Sequence, residues 1–163
     1  MIVLLMGVSG AGKTTIGERL ATVLGASFHE GDQFHPPDNV AKMARGEPLT
    51  DDDRRPWLEA IAAAIGRADA AGDTAVLACS ALKRAYRDTL RGACPSLRVV
   101  HLAGGADLIR GRLEARRGHF MPPTLLPSQF RTLEPPEAGE QPIVIDIAAT
   151  PEAIVAAIMA ALG

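Results

Sequence analysis

Short apolar runs alternate along the chain with longer stretches whose apolar positions recur at helical spacing. Residues 2–6, IVLLM, predict a buried strand. Lys13–Leu24 follows with Ile16, Leu20 and Val23 on one helical face and a stop at Gly25. Residues 26–30 (ASFHE) predict a second strand, and Pro37–Ala44 a short helix. Asp51–Ala71 predicts a long helix, with acids in its first turn, a stripe of Trp57, Leu58, Ile61 and Ile65, and Gly72 as its stop. Strands are expected at 74–79 (TAVLAC), 97–102 (LRVVHL) and 143–147 (IVIDI). Helices are expected at 81–91, Asp107–Arg116, Leu125–Leu133 despite Pro127, and Pro151–Leu162 with proline at its start. Such alternation predicts an α/β protein: a parallel sheet with helices on both faces. Ligands of such sheets bind at the carboxyl ends of the strands. The segments to read closely are therefore 7–14, 31–35, 80–83, 103–105 and 148–151.

At 163 residues the chain fits one domain, 1–163, able to bury a sizeable core without staples. A net charge of −2 gives no reason to expect a nucleic-acid or anionic-membrane binder. The two cysteines, Cys79 and Cys94, lack metal-ligand spacing and suggest a reducing compartment. The run MIVLLMGV is too short to span a membrane and lacks the basic flank of a signal peptide. A cytoplasmic protein is the expectation. Lysine is scarce: only Lys13, Lys42 and Lys83 occur, so each is a candidate for a specific task.

After the first strand stands GVSGAGKT, residues 7–14, a full G-x-x-x-x-G-K-[ST] motif between strand and helix. Its glycines, Gly7, Gly10 and Gly12, let the backbone curl around phosphate, with Ser9, Ala11 and Thr15 in the same cradle. The helix N-terminus adds partial positive charge. Lys13 is placed to reach the β- and γ-phosphates of a nucleotide and the Thr14 hydroxyl to ligate Mg²⁺. The motif alone names no reaction, since it serves kinases, GTPases, motors and regulators. No N-K-x-D tetrapeptide reads guanine, and the TAVLAC strand ends in Ser80 rather than an acid. The acid that helps hold Mg²⁺ or activates an acceptor must come from elsewhere, and Asp32, just past the second strand, is the natural candidate.

Asp32 lies in EGDQFHPPDNV, residues 30–40. It can take an acceptor's hydroxyl proton and order the metal's water shell, or simply form a turn before Pro36. His35 can hydrogen-bond a polar acceptor, or be an exposed loop histidine. Asn39 and Lys42 are weaker candidates, Lys42 reading as a solvated helix charge. Asp51, Asp52 and Asp53 suit a helix N-terminus. Arg54 in that first turn can fork onto a carboxylate, and Trp57 reads as core. The strand exit CSALKRAYRDTLR brings Ser80 and Lys83 to the same end; the plainer reading is a solvated basic face of i, i+4 pairs such as Lys83 and Arg87.

RGRLEARRGHF, residues 110–120, carries Arg110, Arg112, Arg116, Arg117 and His119 and leads into Pro-Pro. Helix, glycine and prolines predict a mobile lid over about residues 112–130. Its arginines are placed to close on a triphosphate and offset transition-state charge. RNA binding is disfavoured by the lack of aromatic interleaving and the near-neutral chain.

Together, GVSGAGKT, GDQFHPPDNVAKMARGEPLTDDDRRPWL, CSALKRAYRDTLR and ARRGHFMPPTLLPSQFRTLE make the chain resemble the small P-loop gluconokinases along essentially its whole length. It is more distantly similar to shikimate kinase and the nucleoside-monophosphate kinases. The resemblance implies a five-stranded parallel sheet in the order 2-3-1-4-5 and a homodimer. It implies ATP- and Mg²⁺-dependent phosphorylation of D-gluconate at the 6-hydroxyl, feeding sugar-acid catabolism. By position it implies Lys13 and Thr14 for ATP and Mg²⁺, with Asp32 as base and metal-side acid. His35, Arg54, Ser80, Lys83 and His119 fall to the acceptor side. Arg112 resembles the lid-base arginine on adenine, and Arg116 the lid arginine that meets phosphate. A shikimate kinase is disfavoured by Ser80-Ala81-Leu82, where a glycine triplet is expected. The rival from another class is a nucleotide-binding regulatory module without transfer.

Overall fold

The computed structural model describes residues 1–116 and 125–163. Five strands form one all-parallel sheet in the order β2-β3-β1-β4-β5, as the resemblance implies. They are β1 (Ile2–Met6), β2 (Ser27–Glu30), β3 (Ala75–Ala78), β4 (Arg98–Ala103) and β5 (Ile143–Asp146). The helices between and after them are α1 (Lys13–Leu24), α2 (Pro37–Ala44), α3 (Asp51–Ala70), α4 (Arg84–Ala93), α5 (Ala106–Ala115), α6 (Leu126–Thr132) and α7 (Pro151–Leu162).

The central strand shows why the sequence run is continuously apolar. Successive side chains of β1 point to opposite faces, and both faces are covered. Val3 and Leu5 pack with Ile16 and Leu20 of α1 and Ile154 and Ile158 of α7. Ile2, Leu4 and Met6 pack on the other face with Trp57, Ile61 and Ile65 of α3 and Tyr86 and Leu90 of α4. All five β1 residues are fully buried.

One helix start differs from expectation for a physical reason. The helix expected at 81–91 begins at Arg84, because residues 80–83 form a loop in which Ala81 takes φ 41°. That left-handed turn is held from below. The Arg87 guanidinium donates to the carbonyls of Ala81 and Leu82 at 3.0 and 3.1 Å, and pairs with both oxygens of Glu140 at 2.6 and 2.9 Å. Arg87 and Glu140 are 1% and 2% exposed. Arg87 is therefore not part of a solvated basic face: it is a buried strut. Pro127 is compatible with α6 because it falls in the first turn, where its missing N–H is no loss.

The acids in the first turn of α3 suit a helix N-terminus, as expected. The Thr50 hydroxyl accepts from the Asp53 N–H at 3.1 Å, while the Thr50 N–H donates to Asp53 at 2.8 Å, a reciprocal cap. Gly31 permits the close approach that places the next residue: a Cβ there would lie 2.5 Å from the Ala78 carbonyl oxygen.

Candidate active site

The P-loop leaves β1 and enters α1 through Gly12, which takes φ 95° as the residue before the first helical turn. No side chain caps that turn, so its first N–H groups have no side-chain acceptor, as an anion cradle requires. Lys13 folds back over the loop, and Nζ donates to the carbonyls of Gly7 and Val8 at 2.9 and 3.0 Å. Burial pulls its pKa below the ordinary lysine value; the charges of Asp32 and Glu30 oppose this.

One cleft at the carboxyl end of the sheet gathers most of the expected residues. Ser9, Gly10, Gly12, Lys13 and Thr14 of the P-loop line it together with Asp32, His35, Arg54, Ser80 and Arg116. Ala11, Gly12 and Thr15 border a second recess together with Arg112, Ala149 and Pro151. Arg112 donates to the Ile147 carbonyl at 2.8 Å, and that bond ties α5 to the end of β5. Gly7 sits deeper, where its N–H donates to the Ser80 carbonyl at 3.3 Å and links the P-loop to the β3 exit.

Two site residues escaped the sequence reading. Glu30, the last residue of β2, accepts the Thr14 hydroxyl at 2.6 Å. Burial pushes its carboxyl above the usual range; the Thr14 bond opposes the shift and Asp32 adds to it. Its position at a strand exit was the available signal. The second is Gln129 of α6, whose side-chain oxygen accepts the Ser9 N–H at 2.6 Å. No local pattern pairs residues 120 positions apart.

The rest of the cleft lining draws on α3 and on the segment after β2. His35 stacks on Trp57, ring centroids 4.4 Å apart and 12° from parallel. Trp57 is thus both core, 1% exposed, and the platform under a cleft residue. Burial lowers the His35 pKa to about 4, Asp32 opposing and Arg54 adding, so the ring is neutral at pH 7. Arg54 donates to the Tyr86 hydroxyl at 3.2 Å and lies 5.6 Å above its ring. Tyr86 in turn donates a short hydrogen bond to Asp51.

Lys83 is not brought to the cleft wall with the others. Its ammonium is paired with both oxygens of Asp51 at 2.9 and 3.0 Å, next to Tyr86. Lys42 is bound to Asp53 at 2.7 Å, which settles it as a structural ion pair. His119 and part of the expected lid lie outside the described residues.

Among the described residues no three His, Cys, Asp or Glu side chains form a metal cage. The hydroxyl of Thr14 beside the Glu30 carboxylate, with Asp32 on the same cleft, is instead a hard-oxygen set. It fits Mg²⁺, which takes one or two protein oxygens and fills its shell with water and phosphate.

Comparison with known proteins agrees with this geometry. A family model described as shikimate kinase matches residues 9–159. The gluconokinase of Gluconobacter oxydans is 51% identical over 139 residues, covering 85% of this chain and 78% of that protein. The crystal structure of a sugar kinase from a Janibacter species superimposes with a TM-score of 0.95 at 48% identity, covering 99% of this chain and 93% of the other. A gluconokinase structure from Sinorhizobium meliloti gives 0.86 at 46% identity, over 98% and 90% of the two chains. With a P-loop, an acid-and-histidine wall and this sheet order in one molecule, the chain belongs to the shikimate kinase family and, within it, to the gluconokinases.

Proposed function

We propose that this kinase transfers the γ-phosphoryl group of ATP to the 6-hydroxyl of D-gluconate, with Mg²⁺ as the metal. The observation that carries the reading is the single cleft in which the P-loop residues Lys13 and Thr14 face Asp32, His35 and Arg54. One side is built for phosphate. The other is built for an anion with hydroxyl groups: Arg54 for the carboxylate, His35 and Asp32 for hydroxyls.

In this reading Asp32 accepts the proton of the 6-hydroxyl as its oxygen bonds to the γ-phosphorus. The bond from that phosphorus to the β,γ-bridging oxygen breaks, and ADP leaves with the electron pair. Lys13 leaves the carbonyls of Gly7 and Val8 to meet the phosphates, and Arg116, which also lines the cleft, offsets charge. Thr14, Glu30 and Asp32 would hold Mg²⁺, which supplies charge neutralisation to the phosphates when bound. Arg112 sits on the recess behind the P-loop, the side left for the adenine.

A cytoplasmic homodimer in sugar-acid catabolism belongs to the same proposal; the free, buried thiols of Cys79 and Cys94 suit a reducing compartment. Among the described residues no helix is long and apolar enough to cross a membrane.

The test is ADP release from Mg·ATP with gluconate, other aldonic acids, shikimate and no acceptor. Gluconate-dependent release with a 6-phosphorylated product is expected. Turnover with another acid alone would discard the substrate, and acceptor-independent nucleotide binding without transfer would discard the reaction.

A further inference from the structure

His35 is gripped on two sides. Trp57 fixes the plane of its ring, and Trp57 is itself anchored by its indole N–H, donated to the Gly31 carbonyl at 2.8 Å. At the ring edge stands Asn39 of α2, 5% exposed. Its amide nitrogen lies 3.3 Å from His35 Nδ1 and 2.8 Å from the backbone oxygen of Asp53.

This chain of three groups has one consistent arrangement of protons. A backbone carbonyl only accepts, so the end of Asn39 facing Asp53 is its NH₂ and not its oxygen. The same nitrogen faces Nδ1 of His35. An amide nitrogen donates and does not accept, so Nδ1 must be the acceptor. An imidazole whose Nδ1 accepts carries its one proton on Nε2. The imidazolium, with N–H on both nitrogens, would set donor against donor. Rotating the Asn39 amide does not rescue it, because its oxygen would then oppose the Asp53 carbonyl.

We propose that Asn39 is a positioning residue that holds His35 as the neutral Nε2–H tautomer. His35, which lines the cleft, then carries its one proton on Nε2 as a hydrogen-bond donor. Such a donor selects an acceptor that presents an oxygen lone pair at that point. An analogue lacking that oxygen leaves a polar N–H unpaired in the cleft and is rejected. The statement about substrate oxygen rests on the kinase reading above; the statement about the proton does not.

The experiment is a long-range ¹H–¹⁵N spectrum of the whole protein, labelled at histidine nitrogen, at neutral pH without substrate. His35 is assigned by the signals lost in His35→Gln. The expected wild-type pattern is a protonated Nε2 and an unprotonated Nδ1. Asn39→Asp, which sets an acceptor where the donor was, should move the proton to Nδ1 or charge the ring. Asn39→Leu should give a tautomer mixture. In Asn39→Asp the KM for gluconate should rise ~10-fold, the equivalent of one hydrogen bond, with the KM for Mg·ATP unchanged. An Nδ1–H or imidazolium pattern in the wild type overturns the proposal, and that spectrum decides the matter even if a variant does not fold. A retained wild-type pattern in folded Asn39→Asp or Asn39→Leu overturns it too. An Nε2–H pattern in a protein that does not phosphorylate gluconate leaves the tautomer assigned and removes the substrate.

Discussion

The Thr14 hydroxyl donates to Glu30 at 2.6 Å, joining the first turn of α1 to the last residue of β2 on the floor of the cleft. The P-loop helix and the β2 exit are thus tied together directly, as elements adjacent in sequence. Replacing Glu30 with Gln keeps the shape and removes the charge. Metal-site carboxylates and their partners are typically worth 10–100-fold, so kcat/KM should fall by at least ~10-fold. Titration of Mg²⁺ at fixed ATP should show the loss as weaker metal dependence; an unchanged Mg²⁺ curve would remove Glu30 from the metal side.

Lys13→Ala should reduce turnover by ~100-fold or more, since it removes a preorganised charge from the phosphate wall. The carbonyls of Gly7 and Val8 that Lys13 now caps can turn to water at the open cleft. Far-UV circular dichroism and the melting temperature should therefore stay close to wild type. Near-normal kcat would sink the P-loop assignment.

Asp32→Asn should lower kcat by ~10²–10⁴-fold while the gluconate KM changes far less, the signature of a base that acts in the transition state. A rise in KM alone would make Asp32 a binding residue.

The Arg87–Glu140 pair should govern stability rather than chemistry. Removing one partner leaves the other charge buried, at a cost of ~3–5 kcal/mol. Arg87→Met should show this in urea melts and lower activity only through the loosened loop at Ser80. The Arg87 bond depresses the Glu140 pKa below its usual 4.5. A carboxylate depressed in the native state adds stability above its unfolded pKa. That stability is lost as pH falls below about 4.5 toward the native value, so acid melts should separate wild type from Arg87→Met less than neutral ones do.

Much of this was legible in the chain. GVSGAGKT fixes a phosphate site through backbone geometry alone, and the apolar run of β1 announces a strand covered on both faces. Asp32, His35 and Arg54 could be placed because they follow strand exits or open a helix, and they do share the cleft. What stayed hidden depends on contacts between distant segments. Lys83 looked free for a ligand because nothing local says that Asp51, 32 residues earlier, would hold it. Arg87 looked solvated because Glu140, 53 residues later, is its partner. Gln129 reaches Ser9 only through the tertiary packing of α6. Sequence spacing reports what a residue can reach within its own element; it is silent on which distant partner claims that reach first.

Cys79 and Cys94 are both buried, and burial pushes the Cys79 thiol up to about 12 and the Cys94 thiol above its ordinary value. Both thiols are thus shielded from solvent and shifted away from the thiolate that labelling reagents attack, so slow labelling of the native protein is expected. A single cysteine introduced on an exposed helix face, at Glu114 of α5 for instance, is expected to take a maleimide dye faster than either native thiol. Burial of both native thiols thus bears on single-site spectroscopy: the expected parent for such labelling is the wild-type sequence with its two cysteines left in place.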